Sequence, residues 1–363
     1  MKAAILCFSL TGYQTGRCLK KGLASLGWEV TLDGKSKYLP DSIEISHQKW
    51  TAGQFQNADA LVFVGACGIA VRSIAPFVKS KKTDPGVLVI DECGKFVISL
   101  LSGHLGGAND FAGICAEILD ALPVVTTATD LHGCFAVDMF AKKNSCGIFH
   151  MKEAKEVSAA LLAGENVGFY SDYPYGGSLP KGLVLCDREG YAVTEEGTAY
   201  QEGFGNRKRM DLGIAVTIYE DVLPFPSTVH VVPKTAVLGI GCRKGREEEA
   251  ICEVSKNCIK AAGIYPESIS CIASIDLKRE EPGILSLCEN WKLPFTTFTG
   301  EELLEAEGEF SPSDFVRQVT GVDNVCERSA VLAAGQGKLI QKKVKDCGVT
   351  TAMAVREWRI CFE

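Results

Sequence analysis

The chain has 363 residues, of which 46% are hydrophobic and 23% charged, and its formal net charge is −7. This length exceeds what one hydrophobic core usually serves, so we expect two or three domains in a globular protein of ordinary composition. An acidic chain without a long run of lysine or arginine is not typical of nucleic-acid-binding proteins, which need a basic surface along the phosphates. No apolar run is long enough to cross a bilayer, so we also expect no membrane partner.

The start of the chain and its cysteines favour a cytoplasmic protein. Residues 1–10 resemble a weak signal peptide, but the apolar stretch breaks at residues 11–16 without a small-residue cleavage site, which favours a first β-strand. The sixteen cysteines are scattered, and no Cys-x-x-Cys pair marks a metal site. We therefore expect reduced, mostly buried thiols and no metal held by the protein itself.

The first 140 residues alternate short apolar strands with helices. The predicted strands are 3–8, 29–32, 60–64, 87–91 and 124–127, and an apolar run beginning at Ile98 is also strand-like. The predicted helices are 15–26, 69–79 and 110–122. This alternation is typical of a doubly wound, mostly parallel sheet, so we predict an N-terminal α/β domain over 1–140.

The pattern of the remaining residues predicts an α/β middle region over 141–227 and a second α/β domain over 228–363. The boundary is placed at residues 221–227, where two prolines precede an apolar pair of strands. The predicted strands are 182–186, 212–217, 229–232, 236–240, 338–344 and 350–355. The predicted helices are 246–262, 282–291, 300–305, 313–319 and 324–334.

Residues 98–110 carry an apolar run into a loop with three glycines and His104. Gly103, Gly106 and Gly107 permit positive φ or a close approach to a ligand, and Asn109 or Asp110 can cap the following helix. Ligands of open α/β sheets bind at the carboxyl ends of strands, and imidazole titrates near neutral pH. The loop therefore indicates a ligand site with a general base, although a structural turn with a solvated histidine fits equally well.

Two further glycine loops are typical of anion sites. Residues 62–72 have the pattern of a strand, a turn with Gly65 and Gly68, and a helix start whose amides attract a carboxylate or phosphate. Residues 239–245 add cations, among them Arg243, which suit a polyanionic ligand. Neither loop has a dinucleotide or nucleoside-triphosphate fingerprint, and both patterns also fit plain structural turns.

Two polar segments, each taken alone, are explained by ordinary structural roles. Residues 126–130 end a predicted strand in hydroxyls and Asp130, which orient a histidine or, more simply, cap a helix. Residues 323–328 open a helix, and Glu327 and Arg328 within them fit a surface charge pair.

Taken in order, residues 63–72, 101–109, 126–130, 239–243 and 321–328 resemble the cobalt-precorrin-5A hydrolase (CbiG) family of anaerobic cobalamin biosynthesis. The resemblance spans nearly the whole chain and implies three parts, the last of which also occurs as a separate protein in the aerobic pathway. It implies hydrolysis of the δ-lactone of cobalt-precorrin-5A and release of the methylated bridge carbon as acetaldehyde, giving cobalt-precorrin-5B. It implies no cofactor of the protein's own, because the substrate carries the cobalt.

The resemblance gives the polar residues specific roles. Lactone opening needs a base for water and donors for the oxyanion, so we expect His104 to be the base and the amides near Gly106 and Gly107 to be the donors. Imidazole is also a good cobalt ligand, and this role of His104 stays open. Glu327 and Asp130 are the candidate second acid-base groups.

The substrate bears many acetate and propionate groups, which a forked guanidinium binds well. The predicted substrate-binding residues are Gly65, Gly68, Arg72, Gly103, Gly106, Gly107, Asn109, Arg243 and Arg328. The alternative function is a non-catalytic tetrapyrrole carrier or scaffold of the same pathway, and a generic nucleotide-binding enzyme is a weaker rival. As protein partners we consider a second copy of the chain and transient contacts with neighbouring pathway enzymes.

Overall fold

The computed structural model describes residues 1–39, 42–80, 83–104, 106–128, 133–193, 201–202 and 206–362. Contacts divide the chain into two compact units, Met1–Met139 and Phe140–Glu363. The first unit contains one six-stranded sheet, and the second contains two five-stranded sheets and a two-stranded hairpin. The predicted α/β class, with three successive α/β parts, is confirmed.

The first unit is a six-stranded sheet with the order β2-β1-β3-β4-β5-β6. Its strands are β1 (Lys2–Cys7), β2 (Glu29–Gly34), β3 (Ala60–Val64), β4 (Gly86–Ile90), β5 (Phe96–Leu101) and β6 (Leu122–Val124). Its helices are α1 (Leu10–Ser25), α2 (His47–Asn57), α3 (Cys67–Ile74) and α4 (Ala108–Leu119). Every residue of β3 and β4 is buried. Such continuous apolar runs are typical of strands covered on both faces.

The strand β5 runs against its neighbour β4. A turn joins the two strands, and the Asp91 carboxylate closes it by accepting hydrogen bonds from the amides of Cys93, Lys95 and Phe96. The strands β1, β3 and β4 are parallel to one another. The loop after β5 therefore lies at the opposite edge of the sheet from the loops that follow β1 and β3.

Three helices of this unit differ from the prediction, and the first of them, α1, begins at Leu10 rather than at residue 15. The helix α2 was missed because it buries only Trp50 and Thr51, so its sequence lacks the apolar period of an amphipathic helix. The helix α3 ends at Ile74 rather than at residue 79, because Pro76 has no amide hydrogen to continue the helical hydrogen bonds.

The second unit begins with a five-stranded sheet of order β7-β13-β12-β8-β9. Its strands are β7 (Gly147–Phe149), β8 (Val167–Ser171), β9 (Leu183–Leu185), β12 (Leu212–Val216) and β13 (Ser227–Val232). The helix α5 (Val137–Lys143) spans the boundary between the units, and α6 (Met151–Leu162) follows β7. A short hairpin, β10 (Gln201–Glu202) with β11 (Asn206–Arg207), stands apart from this sheet.

The strand β13 belongs to this middle sheet, where it pairs with β12 and β7. The sequence analysis instead assigned residues 229–232, together with 236–240, to the last domain. The two prolines before β13 therefore mark a loop within the middle sheet. The chain leaves this sheet five residues later than the predicted boundary, after Val232.

The last sheet has the order β16-β15-β14-β18-β17. Its strands are β14 (Ala236–Cys242), β15 (Ile269–Ile275), β16 (Phe295–Phe298), β17 (Lys338–Asp346) and β18 (Val349–Val355). Its helices are α7 (Glu248–Ala262), α8 (Pro282–Trp291), α9 (Gly300–Leu304), α10 (Asp314–Thr320) and α11 (Cys326–Ala333). The strands β14, β15 and β16 are parallel, so the loops after them share one edge. The sequence did not predict β15 or β16.

No disulfide joins any of the sixteen cysteines, all of which lie in the described parts of the chain. Burial raises the pKa of the Cys7 and Cys115 thiols to about 12, so both stay protonated at neutral pH. Cys361, by contrast, is exposed. None of the helices described here has the length and apolarity needed to span a membrane.

Candidate functional site

The loop between β5 and α4 is a tight turn held by its own backbone. Ser102 and Gly107 both have positive φ, +58° and +74°. The Gly107 amide donates to the His104 carbonyl at 2.9 Å, and the amides of Ala108 and Asn109 donate to Ser102 and Gly103 at 3.1 and 3.0 Å. The Gly107 amide is therefore occupied, which contradicts its predicted role as an oxyanion donor. The Gly106 amide makes no hydrogen bond to any described residue.

His104 lies beside a carboxylate that the sequence did not single out. Its Nδ1 is 3.6 Å from Oδ2 of Asp138, and the two side chains are only 16% and 18% exposed. At this distance the pair is electrostatic rather than a well-formed hydrogen bond. The carboxylate favours the tautomer that carries its proton on Nδ1. Asp138 was missed because it falls in the first turn of α5, where acidic residues are common in any helix.

Asn109 connects two elements by hydrogen bonds and does not cap a helix. The cap position of α4 is Gly107, so the predicted capping role of Asn109 or Asp110 is wrong. The Asn109 amide accepts a hydrogen bond from Ser99 on β5 at 2.6 Å and donates one to Thr127 at 3.1 Å. It thereby joins β5 to the loop after β6.

Two glycines of the loop are required by close packing. A Cβ on Gly103 would lie 2.6 Å from the Asn109 side-chain oxygen, and a Cβ on Gly106 would lie 2.3 Å from the Cβ of Ser102. The Ser102 hydroxyl is buried without a hydrogen-bond partner among the described residues. A non-glycine residue with positive φ and an unpaired hydroxyl stores strain, which is common at functional sites.

The structure does not bring Gly65, Gly68 and Arg72 to this loop. They follow β3, whose direction is opposite to that of β5, so they lie at the other edge of the sheet. The five residues of β3 set the edges about 16 Å apart at ~3.3 Å per residue. The Gly65 amide donates to the Ile90 carbonyl, and the exposed Arg72 side chain donates to the Gly68 carbonyl at 3.1 Å.

In the second unit, Arg243 lies on an exposed loop after β14. This loop is anchored at Gly245, whose amide donates to Glu281 at 2.6 Å, and Lys278 also contacts that carboxylate at 2.6 Å. Burial alone would raise the pKa of the Glu281 carboxyl, but the hydrogen bonds from Lys278 and Gly245 outweigh it and lower this pKa. The anchor leaves the Arg243 side chain exposed, as an anion-binding role requires.

Glu327 is an internal structural carboxylate rather than half of a surface pair. It is fully buried and accepts four hydrogen bonds, from the amides of Ser311 and Lys343, the Ser311 hydroxyl and the Asn324 side chain. Both carboxylate oxygens are thus engaged. This geometry does not support an acid-base role for Glu327.

The Arg328 guanidinium is also occupied by contacts within its own domain. Its Nε donates to Asp323 at 2.9 Å and its Nη1 donates to the carbonyls of Leu303 and Ala306, while the guanidinium lies 4.5 Å from the Phe310 ring centroid. Only 14% of the side chain is exposed. Arg328 therefore has little left to offer a substrate carboxylate.

Asp130, the other candidate acid-base group, lies outside the described residues. The structure thus brings together His104, Gly103, Gly106, Gly107 and Asn109, and adds Asp138 to them. Among the residues that the structure describes, no three His, Cys, Asp or Glu side chains are grouped as metal ligands.

Three family models match successive parts of the chain. Cobalamin synthesis G N-terminal matches residues 49–130, the cobalamin biosynthesis central region matches 135–233, and cobalamin synthesis G C-terminus matches 236–354. The end of the central match falls one residue after β13. It agrees with the placement of that strand in the middle sheet.

Individual relatives agree with these matches. A cobalt-precorrin-5A hydrolase of Salmonella typhimurium is 36% identical over 304 residues, which are 83% of each chain. A cobalt-precorrin-5A hydrolase of Priestia megaterium is 29% identical over 83% of this chain and 79% of its own. A solved cobalamin biosynthesis protein G homologue of Sulfolobus solfataricus covers 98% of this chain and 97% of its own at 23% identity, with a TM-score of 0.40. Because the three models follow one another along the chain and the Salmonella relative shares more than a third of its residues, this chain belongs to the CbiG family of cobalamin biosynthesis.

Proposed function

We propose that the protein is a cobalt-precorrin-5A hydrolase that opens the δ-lactone of its substrate and releases acetaldehyde, giving cobalt-precorrin-5B. Membership of the CbiG family and the two matched hydrolases support this activity. Within the structure, the observation that carries the proposal is the pair formed by His104, in a strained glycine-rich loop, and Asp138, in the first turn of α5.

In the first step His104 acts as the general base. Its Nε2 takes a proton from water while the water oxygen bonds to the lactone carbonyl carbon, and the Gly106 amide donates to the developing oxyanion. The intermediate then collapses, the acyl carbon–oxygen bond breaks, and the imidazolium returns its proton to the leaving oxygen. The products of this step are a carboxylate side chain and a hydroxyl on the bridge carbon.

In the second step the bridge carbon leaves. A base, which we propose is again His104, removes the hydroxyl proton. The oxygen forms a carbonyl bond, and the bond from the bridge carbon to the ring breaks. Its electron pair passes to the macrocycle, and the two-carbon fragment departs as acetaldehyde. Asp138 holds and stabilises the imidazolium in both steps, so it is a positioning residue.

The remaining assignments follow from the same proposal. The substrate carries the cobalt, and we assign the protein no cofactor of its own. Arg243, whose side chain is exposed, is the proposed contact for a tetrapyrrole carboxylate, whereas Glu327 and Arg328 take no chemical step. The protein acts in the cytoplasm, and its protein partners are a second copy of the chain and, transiently, neighbouring pathway enzymes.

Anaerobic incubation with cobalt-precorrin-5A tests the activity. We expect many molecules of trapped acetaldehyde per molecule of protein, with a matching mass change of the pigment. The carrier alternative expects tight pigment binding with no aldehyde, and that result would overturn the hydrolase assignment.

A further inference from the structure

The second unit contains a cavity of about 740 Å³ that the proposed chemistry does not use. It opens at the amino ends of β15 and β16, whereas the Arg243 loop lies at the carboxyl edge of the same sheet. Its floor is apolar and largely buried, formed by Ile259, Ile264, Ile269, Trp291 and Leu293. A volume of this size is typical of a small-molecule site.

Four lysines stand around this apolar floor. Lys256 and Lys260 lie one turn apart on α7, Lys292 caps the end of α8, and Lys234 lies between β13 and β14. All four are exposed, and none forms an ion pair with a described residue. Among the described residues that line the rim, two have acidic side chains, Glu220 and Glu267, so the cavity has a net positive border.

These features define the chemistry of the ligand. An apolar floor with a half-buried indole favours a flat, conjugated body, because such a body buries area and stacks on aromatic rings. Lysine ammonium groups on separate elements favour several carboxylates spread around that body rather than one compact anion. A small acidic metabolite would leave the floor uncovered, and an apolar molecule would leave the lysines unpaired.

We propose that this cavity is a second tetrapyrrole site, separate from the His104 loop, which binds the macrocycle on its apolar floor and its carboxylates on Lys234, Lys256, Lys260 and Lys292. Such a site holds a substrate or product molecule without acting on it. The inference rests on the proposed function only for the ligand class.

Uroporphyrin III, a planar tetrapyrrole with eight carboxylates, is the probe, and its binding is followed by quenching of protein fluorescence. Lys256→Glu/Lys260→Glu reverses the sign of the border, so we expect its Kd to rise at least tenfold. Lys338→Glu/Lys345→Glu is the matched control on β17, with two exposed lysines outside the cavity, and we expect its Kd to stay within twofold. Tripolyphosphate, a compact polyanion, should not displace the porphyrin.

A second measurement uses the unaltered protein, so it does not depend on the variants folding. A water-soluble carbodiimide joins a porphyrin carboxylate to a nearby lysine as an amide, with loss of water to the reagent, and peptide mass spectrometry locates the adduct. We expect adducts on the four cavity lysines and none on Lys338 or Lys345.

Unchanged affinity in the cavity variant, displacement by tripolyphosphate, adducts spread over the surface, or no porphyrin binding would each overturn the second site. None of these readouts involves turnover. If the protein releases acetaldehyde but fails these binding tests, the proposed function stands and the second site is refuted. If it passes the binding tests but releases no acetaldehyde, the second site stands and the proposed function is refuted.

Discussion

The Asp138 carboxylate lies beside the imidazole of His104, which we propose that it positions. Asp138→Asn removes the negative charge 3.6 Å from His104 while keeping the size of the side chain. We expect kcat for acetaldehyde release to fall by about 10- to 100-fold, less than the ~10²–10⁴ contributed by the base itself, with KM unchanged. Asp120→Asn, at the exposed end of α4, is the control and should retain full activity. A raised KM with an unchanged kcat would instead mean that Asp138 binds the substrate.

Gly103 is the residue at which the smallest change should disturb the loop. The Cβ of Gly103→Ala would lie 2.6 Å from the Asn109 amide oxygen, so the amide must move and its bonds to Ser99 and Thr127 weaken. We expect acetaldehyde release to fall at least tenfold, because misplacement by ~1 Å costs up to about 100-fold. The thermal melting point and the rate are measured together.

Gly113→Ala supplies the comparison, since a Cβ there meets nothing within 4 Å in α4. It should raise stability by about 0.5–1 kcal/mol and leave the rate unchanged. Equal rates in both alanine variants would contradict the role given to Gly103.

At the scale of elements, the reversal of β5 decides which loops meet. Had β5 been parallel to β3, the His104 loop would share an edge with Gly65 and Arg72. The short connection between β4 and β5 predicts that β5 is antiparallel, because only antiparallel strands can be joined by a tight turn. Asp91 and Gly94 within it are ordinary turn residues.

Other features of the site were beyond sequence reasoning for a physical reason. The glycines and His104 could be identified from the sequence, since an apolar strand followed by a glycine-rich loop is a local pattern. The contact of Asp138 with His104 joins residues 34 positions apart, and no periodicity encodes it. Likewise, the polar start of α11 looks like a surface segment, yet Glu327 is buried because Ser311, Asn324 and Lys343 supply its hydrogen bonds.

Arg328 belongs to the packing of α11 against its neighbours, so its loss should reduce stability rather than substrate affinity. Arg328→Ala removes hydrogen bonds to Asp323, Leu303 and Ala306. We expect the free energy of unfolding to fall by about 1–3 kcal/mol, with KM unchanged, in urea titrations and steady-state kinetics.

The control is Arg317→Ala, which removes the other partner of Asp323. That arginine is 60% exposed and 3.5 Å away, so its loss should cost no more than about 0.5 kcal/mol. A raised KM with unaltered stability in the Arg328 variant would restore the substrate clamp that the sequence suggested.

At the scale of the whole molecule, a buried histidine links stability to pH. His230 on β13 is fully buried, and Nε2 contacts the Val222 carbonyl at 2.7 Å, while Nδ1 lies 3.2 Å from the Tyr265 hydroxyl and 3.3 Å from His150. Burial, together with the neighbouring His150, lowers the pKa of His230 below 6.5 despite its bond to Val222.

At His230, the unfolded chain therefore binds more proton than the folded one once the pH falls below about 6.5. We expect His230 to reduce the free energy of unfolding from that pH downwards, by at most ~1.4 kcal/mol per pH unit, and to have no effect above it. Urea unfolding at pH 7.5 and 5.5 measures the difference. His230→Gln should shrink it and His47→Gln, on α2, should not, and equal pH dependence in all three proteins would refute the linkage.

The role of His104 is tested by the rate of acetaldehyde release from cobalt-precorrin-5A under anaerobic conditions by the wild type, His104→Ala and His47→Ala. We expect the His104 variant to bind the pigment but to release acetaldehyde about 10²- to 10⁴-fold more slowly, while the His47 variant matches the wild type. Release by folded His104→Ala within a few-fold of the wild-type rate would contradict this role and move the chemistry away from the loop after β5.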